Sequence, residues 1–119
     1  MKKTSLVRFG IQAVGGLLLA AVLAAPSYAQ KPLKGVAVTV GDLGNPFFVQ
    51  IAHGAQDAAK KINPSVKFSA ESSNYDVNNQ TNQMDNFVSS GASLILLGAA
   101  DSKGIAPAVM RAKDRKSVV

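Results

Sequence analysis

Along this chain, continuous apolar runs alternate with apolar residues spaced three and four apart, and the alternation predicts strands and helices in turn. Gly35-Val36-Ala37-Val38-Thr39-Val40 is a short, β-branched, nearly unbroken apolar run closed by Gly41. It reads as a strand buried on both faces of a parallel sheet. Asp42-Leu43-Gly44-Asn45-Pro46 follows as a loop, with Asn45 suited to cap a helix and Pro46 suited to its first turn, where its missing amide hydrogen costs nothing. From there Phe48, Ile51, Ala52, Ala55, Ala58, Ala59 and Ile62 recur at helical spacing, with Gln50, His53, Gln56, Asp57, Lys60 and Lys61 opposite. Asn63-Pro64 stops that helix.

The second cycle is shorter. Residues 66–71, Val-Lys-Phe-Ser-Ala-Glu, alternate apolar and polar and predict a strand nearer the sheet edge than the first. Ser72 to Tyr75 is a polar loop, Asp76 an N-cap, and Val77, Gln80, Met84, Phe87 and Val88 give the next helix a mainly apolar stripe that Gly91 closes. Leu94-Ile95-Leu96-Leu97-Gly98 is again an unbroken strand, and residues 99–104 lead to a third helix over 105–113. Strand and helix thus alternate three times. The fold class is α/β, a parallel sheet of right-handed β-α-β units with helices on both faces. Ligands of such sheets bind beyond the carboxyl ends of the strands, which directs attention to residues 42–48, 72–75 and 98–102.

The first thirty residues follow a different grammar. Lys2, Lys3 and Arg8 give a positive start, residues 9–30 carry no charge, the strongly apolar part runs over 11–25, and Pro26-Ser27-Tyr28-Ala29 places small residues one and three positions before a cut after Ala29. That is the order of a removable secretory signal. A membrane anchor is the rival, since about 20 apolar residues span a bilayer, but Gln12, Gly15, Gly16 and Pro26 leave the solid apolar core too short. Residues 1–29 are therefore expected to be a signal peptide that meets the membrane only in transit, and residues 30–119 a single small domain. The chain has no cysteine, so neither a disulfide nor a lipid on a processed cysteine is available.

Charge adds little beyond this. Of 13 lysines and arginines three lie in the leader, so the formal +6 falls to +3, ten bases against seven acids, for the mature chain. That balance, without interleaved aromatics or a recognition motif, gives no case for nucleic acid. His53, the one histidine, lies a turn before Asp57 and reads as a surface i,i+4 pair. Gly41-Asp42-Leu43-Gly44 lacks the lysine and spacing of a phosphate loop, and no His, Cys and carboxylate cluster suggests a metal. No cofactor or metal is called for, and an enzyme is disfavoured.

Val38-Thr39-Val40-Gly41-Asp42-Leu43-Gly44-Asn45-Pro46-Phe47-Phe48, then Gly54-Ala55, then Asn86-Phe87-Val88-Ser89-Ser90-Gly91-Ala92 before Leu94-Ile95-Leu96-Leu97, resemble the ribose-binding-protein-like family of periplasmic sugar-binding proteins, the type I solute receptors of ABC importers. The resemblance covers essentially all the mature chain. It implies part of the N-terminal lobe of a two-lobed periplasmic receptor that closes over a monosaccharide or related polyol and docks on an importer permease. Carried over by position, it implies that Asp42 and Asn45 contact hydroxyls, Phe47 and Phe48 offer rings, and Asp101 contributes a carboxylate. The bland readings stay open: Asn45 as a cap alone, Phe48 on the core stripe, Asp101 serving only the start of the third helix. Gly98-Ala99-Ala100 departs from relatives that carry a polar side chain there and offers space or backbone groups instead. Relatives are several times longer. Ser117-Val118-Val119 reads as the start of a fourth strand, and Asp114-Arg115-Lys116 stands where relatives have a small, glycine-containing turn. Both features predict a truncated or frame-shifted reading that binds sugar weakly alone. A sugar-responsive repressor would carry DNA-binding helices before the first strand, where this chain has its leader. A receptor for a non-sugar such as a cyclitol remains compatible with the same residues.

Overall fold

The computed structural model describes residues 31–119. The expected signal peptide, residues 1–29, and its cut after Ala29 fall outside the described residues. The element order is β1 (Gly35–Val40), α1 (Pro46–Ile62), β2 (Lys67–Ser72), α2 (Val77–Ser89), β3 (Leu94–Leu97) and α3 (Ala106–Asp114). The three strands form one parallel sheet in the order β2-β1-β3. The α/β class and the alternation read from the sequence are thus observed.

β1 occupies the centre because its residues tolerate no other place: all six are buried. Its side chains alternate between two cores. Ala37 joins Met84, Phe87, Ile95, Ile105, Ala108 and Ala112 beneath α2 and α3, whereas Val36 joins Ala59 and Val66 on the α1 side. β2 pairs with β1 from Gly35↔Lys67 to Val40↔Ser72 and lies at the edge, matching its alternating pattern. It begins one residue later than the alternation predicts.

The helix boundaries follow their caps. Asn45 accepts from the Phe47 amide at 3.0 Å, and Pro46 fills the first turn of α1. Asp76 accepts from the amides of Asn78 and Asn79 at 2.7 and 2.9 Å. Gly91, at φ +86°, adopts the left-handed conformation that lets the chain leave α2 and return as β3. Asn63 ends α1 and donates from its side chain to the Leu33 carbonyl at 2.9 Å, tying the end of α1 to the approach to β1. Ile105, expected inside the third helix, sits at its cap position and is buried in the core.

The apolar stripe expected on α1 is only partly the buried one. Ala52 and Ala59 are buried, with Phe48, Val49, Ala55 and Gln56 partly so, whereas Ile51, Ala58 and Ile62 are exposed. Two alanines seat the helix closely on the sheet, which fixes its rotation about that line and turns Ile51 and Ile62 away. Ile51 instead lines an apolar groove with Val38, Val40, Phe48 and Leu96 beside β3.

After α3 the chain turns back to the sheet through Lys116, whose φ is +67°. A left-handed lysine costs about 1 kcal/mol more than the glycine that favours such a turn. Val118 then forms a parallel bridge with Leu94, the Ile95 amide donating to the Val118 carbonyl at 2.8 Å and the Val118 amide to Ser93 at 3.0 Å. The two valines therefore lie where a fourth parallel strand would begin.

The burial pattern makes a paired expectation. Ile95→Ala, in the core beneath α2, should lower the unfolding free energy by about 2–5 kcal/mol, and Ile62→Ala, at 73% exposure, by no more than about 0.5 kcal/mol. Urea denaturation of the two variants checks this, and equal losses would place Ile62 in the core after all.

Candidate functional site

The loops after the three strands gather at one end of the sheet, and hydrogen bonds hold the first two together. The Leu43 amide donates to the Ser72 hydroxyl at 2.8 Å, and the Ser73 amide to the Val40 carbonyl at 2.8 Å. Within the first loop Asp42 Oδ1 accepts from the Gly44 amide at 2.7 Å, and the Asn45 amide donates to the Asp42 carbonyl at 3.1 Å. One Asp42 oxygen is thus committed to shaping its own loop. Asn45 spends its Oδ1 on the helix cap, and its Nδ2 has no hydrogen-bond partner among the described residues. Capping therefore fixes the side chain while leaving an amide donor exposed at the mouth of the loop.

Phe47 and Phe48 occupy the first turn of α1 with opposite fates. Phe47 is 65% exposed, whereas Phe48 is partly buried against the groove beside β3. Their rings meet edge to face, centroids 5.3 Å apart at 70°. Phe48 meets a third ring, Tyr75, at 6.5 Å and 63°.

Tyr75 was not singled out as a site residue from the sequence, and its geometry is the most unusual in the loop set. Asn74 and Tyr75 have φ of +54° and +56°, and the Asp76 amide closes on the Ser73 carbonyl at 3.1 Å. Positive φ at both central residues is the pattern of a type I′ turn, which suits asparagine but not tyrosine. The left-handed backbone brings the Tyr75 ring over Gly41, where any Cβ would run into it. Strain of this kind persists only where the surroundings impose it, and strained residues cluster at functional sites. An aromatic residue in an otherwise polar loop was the available signal.

Asp101 is placed differently. Its Oδ1 accepts from the amides of Lys103 (3.0 Å) and Gly104, closing the turn ahead of α3, and its loop packs on Val77 at the start of α2. Among the described residues it makes no hydrogen bond to the first two loops. Asp42, Asn45, Phe47 and Phe48 thus share one rim with Tyr75, and Asp101 stands at the neighbouring loop with one carboxylate oxygen engaged locally. His53 and Asp57 are both exposed on α1, and among the described residues the ion pair present is Asp85–Arg111, with Arg111 Nη2 2.9 Å from Asp85 Oδ2 between α2 and α3. Among the described residues no helix is long and apolar enough to cross a membrane.

Beneath the rim lies a buried polar cluster that the periodicity of α2 concealed. Thr39, Gln80 and Gln83 are buried, the Thr39 hydroxyl bonds to both glutamines, and Gln80 and Gln83 also bond to backbone groups at the ends of β2 and β3. Gln80 falls on the mainly apolar stripe of α2, and Gln83 lies off that stripe, so helical spacing alone gives no signal for it.

Comparison with known proteins adds the following. The model of a family described as periplasmic binding protein domain matches residues 36–119. The solved structure of an ABC transporter solute-binding protein from Mycobacterium smegmatis, with bound glycerol, superposes with a TM-score of 0.60 at 20% identity. The match covers 71% of this chain and 28% of that one, so the chain spans well under a third of that protein's length. No curated protein matches.

Gly41→Ala should displace the Tyr75 ring, because that ring is the exposed, movable partner in the collision. Ring-current shifts and nuclear Overhauser contacts between Phe48 and Tyr75 should vanish while the unfolding midpoint changes little, and persistence of those contacts would show that the ring does not depend on the glycine.

Proposed function

The chain belongs to the periplasmic binding protein domain family, and on that premise we propose that it forms one wall of an exported receptor for a sugar or polyol that serves an ABC importer. The family and the solved structure that matches the chain are solute-binding proteins, which are not enzymes. The observation that carries the reading is the rim itself: exposed Phe47, the Phe48–Tyr75 pair and the free Asn45 amide at the carboxyl end of the central strand.

The chemistry suits a polyhydroxylated solute. The C–H faces of a sugar are weakly apolar and lie against aromatic rings, while amide donors and carboxylate acceptors select for hydroxyls and reject analogues that lack them. Asn45 Nδ2 supplies a donor, Asp42 and Asp101 each keep an oxygen free of the bonds that shape their loops, and the backbone of Gly98-Ala99-Ala100 leaves room. That the Mycobacterium smegmatis protein was solved with glycerol supports the hydroxyl-rich class without choosing among its members. Export, with removal of the first 29 residues after Ala29, belongs to the same proposal and rests on the leader's sequence.

The rim is one-sided. Phe47 and Tyr75, at 65% and 63% exposure, are far more open than ligand-contacting rings in a site that encloses most of its solute. The opposing wall belongs to a second lobe in our reading, and these residues alone hold a sugar weakly.

Amide and aromatic NMR shifts of the chain, titrated with glycerol, ribose and glucose, test this. Changes confined to Asn45, Phe47, Phe48 and Tyr75, saturating only in the millimolar range, are expected. Phe47→Ala should abolish them while altering stability by no more than about 0.5 kcal/mol, as befits an exposed side chain. Sub-micromolar affinity would overturn the one-sided site, and shifts located elsewhere would overturn the site.

A further inference from the structure

The buried amides of α2 do more than fill the core. Gln80 Nε2 donates to the Gly98 carbonyl at 3.0 Å and to the Thr39 hydroxyl at 3.2 Å, while its Oε1 accepts from the Ala100 amide at 2.8 Å. The Thr39 hydroxyl donates to Gln83 Oε1 at 2.6 Å, and Gln83 Nε2 donates to the Ser72 carbonyl at 2.8 Å. One turn earlier, Asn79 Nδ2 donates to the Ser73 carbonyl at 3.0 Å. Two turns of one helix therefore grip the backbone at the ends of β2 and β3 and the side chain of β1.

The bonds run in a single direction, from the Ala100 amide through Gln80, Thr39 and Gln83 to the Ser72 carbonyl. That direction fixes the orientation of both glutamine amides. Rotating the Gln80 amide by half a turn would set its NH2 against the Ala100 N–H and its oxygen against the Gly98 carbonyl. Gln80 is completely buried, so it has no water to fall back on, and each group left unpaired would carry its full desolvation cost.

A core needs none of this, since apolar residues of the same shape would pack there as well or better. The loop after β3 does need it. Gly98-Ala99-Ala100 has no side chain long enough to be anchored by packing, so only its main-chain groups can be held, and Gln80 holds two of them. The grip is specific in distance and direction, as apolar contact is not.

We propose that Gln80 is a positioning residue: without reaching the solute, it sets the loop after β3 against those after β1 and β2 and so sets the shape of the binding rim. What that shape serves rests on the solute-receptor reading above. The positioning itself does not, and the two can fail separately.

The test uses the full chain with Gln80→Met, which keeps the volume and removes every polar contact, and Gln80→Glu, which keeps an acceptor for the Ala100 amide but loses one of the two donations when the buried carboxyl is protonated and both when it is ionised. Amide hydrogen exchange is followed at Ala100 and across residues 98–104, with the β1 amide of Ala37 as reference, and glycerol and ribose are titrated by NMR. In Gln80→Met the Ala100 amide should exchange about tenfold faster or more relative to Ala37, the scale of one lost hydrogen bond, and it should stay protected in Gln80→Glu. Binding of either probe should weaken about tenfold or more in Gln80→Met. Uniform acceleration at Ala37 and Ala100 alike, or unchanged exchange at Ala100, would reduce Gln80 to a structural residue and overturn the proposal, as would parental affinity in Gln80→Met. Should that variant fail to fold, loss of Ala100 protection in Gln80→Glu overturns it and retained protection sustains it. Should the parent bind neither probe, the solute reading loses its support while the exchange pattern still decides the role of Gln80.

Discussion

Thr39 puts a hydroxyl in the middle of a strand whose every residue is buried, and much of the functional end of the molecule follows from satisfying it. Burying a hydroxyl without a partner costs of the order of 1–3 kcal/mol, and Thr39 has no exposed surface. The partners must then come from the helix packed on that face, and at that height α2 carries Gln80 and Gln83 where Met84 and Phe87 continue the apolar core one turn on. Glutamines bring more hydrogen-bonding capacity than one hydroxyl uses. The surplus goes to Gly98, Ala100 and Ser72, the main-chain groups that bound the rim.

This arrangement divides the labour between the two faces of the sheet. On the α1 side, contact is made by small residues, Ala52 and Ala59, and the helix delivers Asn45, Phe47 and Phe48 through its capped first turn. On the α2 side, contact is apolar at the amino end of the strands and polar at the carboxyl end. A ligand site on loops works only if the loops are held to the scaffold, and here one helix presents side chains while another holds backbone. The Tyr75 turn joins the two: Asp76 caps α2, Asn79 grips Ser73, and the left-handed pair between them swings the tyrosine across Gly41 to meet Phe48.

What the sequence made legible was whatever a single local pattern encodes. The unbroken run of β1, the Asn45-Pro46 and Asp76 helix starts, the glycine after α2 and the strand-like Val118 were each readable from a few neighbouring residues, and each stands in the structure. The family resemblance rested on the same segments, and the match over residues 36–119 agrees with it. The features missed are those decided between segments. Ile51 and Ile62 share a helical spacing with the buried alanines, but the rotation of α1 depends on which residues are small enough to touch the sheet. Gln80 sits at a core position by periodicity, and its polarity has meaning only once Thr39 and Gly98 are known to face it. Tyr75 is a loop residue whose importance lies in a glycine 34 positions earlier.

The combination of a rigid floor and exposed rings also bears on how such a rim would work. Phe48 is braced by two edge-to-face contacts and by the groove beside β3, Asn45 is locked by its cap, and Gln80 immobilises the loop after β3, so little ordering entropy remains to be lost when a solute arrives. What the rim lacks is enclosure, because a small molecule resting on it would keep one face in water and gain only part of the available desolvation. On the receptor reading proposed above, preorganisation on this side would leave the remaining free energy of binding to whatever closes from the other, the condition under which ligand binding is coupled to lobe closure. A stiff wall suits that coupling better than an adaptable one: a wall that reshaped itself around each solute would spend binding energy locally instead of passing it to the motion.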